Sequence, residues 1–293
     1  MDRASPRVIS LIAFPRSGTT FLGRRLARGA GVQYLEEPIG TWYRAFLHGP
    51  SDRSLGIRKG ETADKWFRRN WNKTAPTIVE KTPSNILRVR DLADFFPDIT
   101  FLVLLRNPLD VSQSVFNKWC RGIDRNHQYL RESDTAIGTP TRILATRLRK
   151  ARQIGRLDAI WEQRRRIFDT LAASVRRRPA PFERVLRVPG LEELGGEIDV
   201  LNQILWAWIN AHLIFRLDAR SLSRDRLVFL DYDGLTNGNT EEWRKIETVI
   251  GTSIDSSISR KESSDSPDTM EAAFDPYLRN HALYLYKEMI YGI

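Results

Sequence analysis

Apolar positions along this chain gather into strand-length runs, each followed by a polar turn and a stretch with helical spacing. Val8–Ala13 is the first run, and the polar turn after it leads into a helix starting near Thr19. Thr77–Glu80 reads as another strand, ending one residue before Lys81. Ile99–Leu105 is an apolar run of strand length, as expected for a strand covered on both faces, and Asp110–Lys118 then reads as helix. Leu201–Leu217 has the spacing of an amphipathic helix carrying Trp206 and Trp208, and Tyr277–Ile290 reads as a closing helix. Strands alternating with helices in this way predict an α/β protein built on a parallel sheet.

The first strand–turn–helix has the form of a phosphate site. A strand that turns through Pro15-Arg16-Ser17-Gly18 into a helix leaves the first helical N–H groups unpaired. They converge where the helix dipole is positive, so the spot favours an anion. Laid against G-x-x-x-x-G-K-[ST], Gly18 takes the second glycine and Thr20 the final hydroxyl, while Ala13 replaces the first glycine and Thr19 the lysine. Arg16 can supply the missing positive charge, with a planar fork suited to two oxyanion oxygens. A second site follows the Ile99–Leu105 strand. Its tip carries Arg106 where a magnesium-holding aspartate would be expected in an NTPase, and Ser114 follows eight residues later. The sequence therefore offers two phosphate-binding turns and no dedicated magnesium ligand.

Those two turns carry a family resemblance. Pro15-Arg16-Ser17-Gly18-Thr19-Thr20 resembles the 5′-phosphosulfate loop of sulfotransferases, and Arg106 with Ser114 resembles their 3′-phosphate motif. Val79-Glu80-Lys81-Thr82-Pro83-Ser84 is similar to the Glu-Lys-Thr-Pro segment of the carbohydrate and tyrosyl-protein sulfotransferases. Tyr34-Leu35-Glu36-Glu37-Pro38 is similar to their glutamate-bearing segment, and Val228–Leu235 to their late strand, with a helix expected over Glu241–Ile250. The resemblance implies a P-loop-NTPase-like parallel sheet with helices on both faces. It also implies the donor 3′-phosphoadenosine 5′-phosphosulfate (PAPS), whose two phosphate positions would account for two turns. The implied roles are Glu37 as general base, with Glu36 as the alternative, and Lys81 on the leaving group. Residues Pro15, Arg16, Ser17, Gly18, Thr19 and Thr20 would hold the 5′ end, and Arg106 and Ser114 the 3′-phosphate. Ser264, in the polar stretch Arg260–Asp265, would be a contact from a loop closing over the donor. Aryl and steroid sulfotransferases carry Lys-Thr-His where this chain has Lys81-Thr82-Pro83, which excludes a histidine base at that position.

Composition adjusts this picture in three places. The chain has 293 residues, enough for one large domain spanning 1–293, with 41% hydrophobic content and eight tryptophans in support of a folded core. Its net charge of +10 invites a nucleic-acid reading. Much of that charge lies in 142–187, where apolar residues recur at helical spacing. The segment reads as a helical insert over about 121–195 with a basic outer face, and no aromatic–basic binding motif accompanies it. The single cysteine, Cys120, excludes an internal disulfide and suits a reducing compartment. No apolar run reaches transmembrane length and no apolar signal region precedes Val8, so a cytoplasmic protein without a membrane anchor is expected. The expected activity is sulfuryl transfer from PAPS to a hydroxyl on a small molecule, carbohydrate or lipid, with no metal. The competing readings are a nucleotide-dependent kinase, which would need magnesium and a loop lysine, and a non-catalytic protein binding anions or nucleic acid.

Overall fold

A computed structural model describes residues 6–36, 75–119, 188–190, 199–254 and 271–292, and every structural statement below concerns these. The strands are β1 (Arg7–Ile12), β2 (Val32–Glu36), β3 (Thr77–Lys81), β4 (Thr100–Leu105) and β5 (Leu227–Asp231). The helices are α1 (Thr19–Leu26), α2 (Val89–Phe95), α3 (Pro108–Trp119), α4 (Val200–Ala219), α5 (Tyr232–Thr236), α6 (Thr240–Ile250) and α7 (Pro276–Tyr291). A 3₁₀ turn over Pro83–Leu87 joins β3 to α2.

All strand pairings are parallel, in the order β2-β3-β1-β4-β5. Strict alternation in the central strands sorts the core into two layers. Ile9, Leu11, Ala13, Leu102 and Leu104 point to one face and pack with Leu22 and Leu26 of α1 and with Trp243 and Ile246 of α6. Ile12, Phe14, Phe101, Val103 and Leu105 point to the other and pack with α2, α3, α4 and α7. Helices thus cover both faces, as the apolar runs require.

Two elements differ from the sequence reading. The late strand expected over Val228–Leu235 stops at Asp231, and Tyr232–Thr236 turns at once into a short helix. Asp231 causes this: its carboxylate accepts the N–H groups of Asp233 and Gly234, which starts a helix where the resemblance implied more strand. Helix α4 is not one-sided either. Twelve of its twenty residues are buried, including Trp208 and His212, because it is packed by the 3₁₀ turn, α2, α3 and α7. Arg216 pairs in a two-pronged contact with Glu288 at 2.7 and 2.8 Å, fastening α4 to α7. No helix among the described residues is long and apolar enough to cross a membrane.

His212 carries a pH consequence. It is 1% exposed, its ring lies 3.8 Å from that of Trp208, and its Nδ1 is 2.7 Å from the Trp208 carbonyl oxygen. A carbonyl only accepts, so Nδ1 holds the proton of a neutral ring. Burial pushes His212 down to about 4, outweighing the bond to Trp208. Because the folded value lies below the unfolded one, the stabilisation is complete above about pH 6.5 and is lost as pH falls towards 4. That is about 3 kcal/mol across the window. Urea titrations at pH 7, 5.5 and 4 are expected to show this acid limb, and His212→Leu is expected to flatten it.

Candidate functional site

The carboxyl ends of the parallel strands bring the chemistry together. Helix α1 follows β1 onto one face, whereas α3 follows β4 onto the other, so the two connections part above the edge and leave a crevice between them. Glu36, Lys81, Arg106 and Asp231 stand at or one residue past the ends of β2, β3, β4 and β5.

The loop after β1 is strained and leaves the helix that follows it without a side-chain cap. Arg16 has φ 74° and Gly18 φ 95°; the first is the only non-glycine residue in the left-handed region among the described residues. Such a conformation costs about 1–2 kcal/mol and recurs where a loop is shaped for binding. Side chains cap the first turns of α4, α5, α6 and α7, but Gly18 at the start of α1 offers none. The amino end of α1 therefore keeps donors that those helices spend on their own caps. Ser17 and Thr19 are buried at 1% and 5%, Pro15 is buried too, and Arg16 and Thr20 are exposed.

Arg16 and Arg106 meet although ninety residues separate them. Arg106 donates from Nη1 to the Arg16 carbonyl oxygen at 3.4 Å, and Arg16 Nε donates to Ser114 Oγ at 3.2 Å. The Arg106 guanidinium lies 4.8 Å from the centre of the Tyr232 ring, within cation–π range, and 4.0 Å from Asp110. Its Nε is buried with no hydrogen-bond partner among the described residues. Partial burial, and then the charge of Arg106, push the Arg16 guanidinium below its usual value, while Tyr232 acts in the opposite sense. Two cations crowded together with an unspent N–H form a place for an anion, whose charge would relieve both.

Tyr232 escaped the sequence reading as a site residue. Its ring lies so close to Gly18 that a Cβ there would fall 2.2 Å from Cε2. It therefore joins the β1 loop to Arg106. Its position, first after the carboxyl end of a strand, was the available signal. Asp231 fixes it from below: besides capping α5, Asp231 Oδ1 accepts from Tyr286 Oη at 3.0 Å, and its backbone N–H donates to Glu242 Oε2 at 2.8 Å. Burial, followed by the charge of Asp231, pushes the Tyr286 phenol well up, so it stays a donor.

Lys81 brings an ammonium group to the same loop from the next strand. It is 1% exposed, and its Nζ lies 3.4 Å from Thr20 Oγ1 and 3.4 Å from Glu36 Oε1. The lysine missing from the loop at Thr19 thus has a counterpart arriving from β3. Adjacent Glu80 points to the opposite face, where its Oε2 accepts from Ser10 Oγ at 2.9 Å and from Asn85 at 3.2 Å. This pins the 3₁₀ turn that starts two residues past Lys81. Glu37, Ser264, Cys120 and, apart from 188–190, the basic insert lie outside the described residues.

No protein-family model matches the sequence, and no curated protein matches it. Among solved structures, the sulfotransferase from Alicyclobacillus acidocaldarius superposes with a TM-score of 0.52 at 15% identity, over 98% of this chain and 96% of that one. The fold is that of a sulfotransferase. The sulfotransferase domain from the Synechococcus PCC 7002 olefin synthase aligns at 14% identity over 100% of this chain and 98% of that one, with a TM-score of 0.46. At such identities the likeness is one of backbone architecture. In this sulfotransferase fold, the five-stranded sheet supplies the carboxyl edge, and the side chains gathered there are this chain's own.

Proposed function

We propose that this protein is a sulfotransferase that moves a sulfuryl group from PAPS to a hydroxyl of a small-molecule, carbohydrate or lipid acceptor. The observation carrying the reading is the meeting of Arg16, Arg106 and Ser114 from two turns at the carboxyl edge, beside the uncapped start of α1. A nucleotide with an anionic group at each end suits these groups: the buried Arg106 Nε and the two crowded guanidinium ions gain from an incoming oxyanion. Residues Pro15–Thr20 would take the 5′ end, and Arg106 with Ser114 the 3′-phosphate.

When bound, PAPS supplies an activated sulfuryl group: the acceptor oxygen forms the new bond to sulfur as the bond from sulfur to the 5′-phosphate oxygen breaks. The residues of this chain supply positioning and charge. Glu37 takes the proton from the acceptor hydroxyl, as a base within hydrogen-bond reach would. Lys81 stands beside the loop hydroxyl of Thr20, where its charge offsets the negative charge that builds on the departing phosphate oxygen. Thr20 and the α1 N–H groups orient the same end.

Calorimetry with 3′,5′-ADP and with ATP–Mg tests the reading, followed by transfer of labelled sulfuryl from PAPS to pooled acceptors. Binding of 3′,5′-ADP and label transfer are expected. Binding of ATP–Mg alone would favour a kinase. Binding of neither, with salt-sensitive binding to DNA, would favour the non-catalytic alternative. Arg106→Ala is expected to weaken 3′,5′-ADP by about 1.5–3 kcal/mol, the loss of a charge-assisted contact, as read in the same titration.

A further inference from the structure

Glu36 and Lys81 close neighbouring strands and are register partners in the parallel β2–β3 ladder. Their side chains meet at 3.4 Å, but the two ends of the pair differ: Lys81 is 1% exposed and Glu36 46%. The ammonium is fixed by the surrounding protein and by Thr20, whereas the carboxylate is in reach of water and can swing away. A cation removed from water is costly without an opposite charge nearby, while a half-exposed carboxylate loses little on release. The carboxylate therefore occupies the flank of the ammonium to which an anion at the β1 loop would also be drawn.

We propose that Glu36 is an ionic latch: it holds the Lys81 ammonium at the phosphate loop before the donor arrives, and the anionic end of the donor displaces it. This rests on the sulfotransferase reading and extends it, since Glu36 becomes a positioning residue that acts through Lys81, with a role separate from that of the base. Carboxylate and phosphate compete for one ammonium. Removing the carboxylate charge makes the free protein less stable and the anion-bound protein easier to form. A side chain with only a structural role would weaken both.

The test is calorimetry of 3′,5′-ADP with wild type, Glu36→Gln, Lys81→Met and the double variant, with thermal midpoints recorded for each. Glu36→Gln is expected to bind the nucleotide roughly three- to thirtyfold more tightly than wild type, as removal of one like charge beside the anion predicts. In the Lys81→Met background the same substitution is expected to give a much smaller gain. Glu36→Ala reports the same gain should the glutamine variant not fold. Equal or weaker binding by these variants, with wild type binding normally, overturns the latch and leaves the sulfotransferase reading standing. An undiminished gain without Lys81 also overturns it, because the effect would then be one of bulk charge. Failure of wild type to bind 3′,5′-ADP overturns the donor reading and the latch with it.

Discussion

Lys81→Met is expected to lower kcat for sulfuryl transfer by about 10²- to 10³-fold, the usual loss when a preorganised charge is removed from a developing anion. Methionine keeps the length and the apolar stem of the side chain, so the fully buried position between β1 and β2 stays filled. Of the groups left behind, Glu36 and Thr20 are exposed, so water replaces the ammonium beside them. Exchanging a buried ion for an apolar group of similar volume is often neutral or stabilising. A thermal midpoint that holds or rises while single-turnover transfer collapses therefore identifies a chemical role. A parallel fall in both would reduce Lys81 to a structural residue.

Gly18→Ala is expected to damage the site and the fold together. At φ 95° an L-residue costs about 1–2 kcal/mol, and the new methyl would lie 2.2–2.4 Å from the Tyr232 ring, adding about 1–3 kcal/mol of overpacking. Relief requires Tyr232 to move, and that ring is the surface on which Arg106 rests. Affinity for 3′,5′-ADP is therefore expected to fall with stability, by calorimetry and urea unfolding on the same preparation. Gly238→Ala is the control. It has φ 79° but nothing within 4 Å of its Cβ, so it carries the backbone strain alone and is expected to leave nucleotide affinity unchanged.

Much of the framework was legible in the sequence because it is local. The apolar run ending at Leu105 became β4 within one residue of its expected start, and the glycine-bearing turn led into α1 at Thr19 as read. Helix α6 began one residue before the expected Glu241, with Asn239 capping it. The errors arose where a side chain overrode periodicity. Asp231 ended a strand that the family resemblance had carried to Leu235, and neighbours on several sides buried most of a helix that spacing had made amphipathic. Tertiary packing also made His212 of α4 a fully buried core residue.

The sequence by itself determined the alternation of strands and helices, the glycine-bearing turn around Gly18 and the kinds of charge available, since each depends on residues only a few positions apart. Only the tertiary structure decided that Arg106 rests on Tyr232, that Arg16 reaches Ser114, and that Lys81 stands between Thr20 and Glu36. Parallel strands far apart in the chain end on one common edge, and the order and hydrogen-bond register in which they pair select the side chains that meet there.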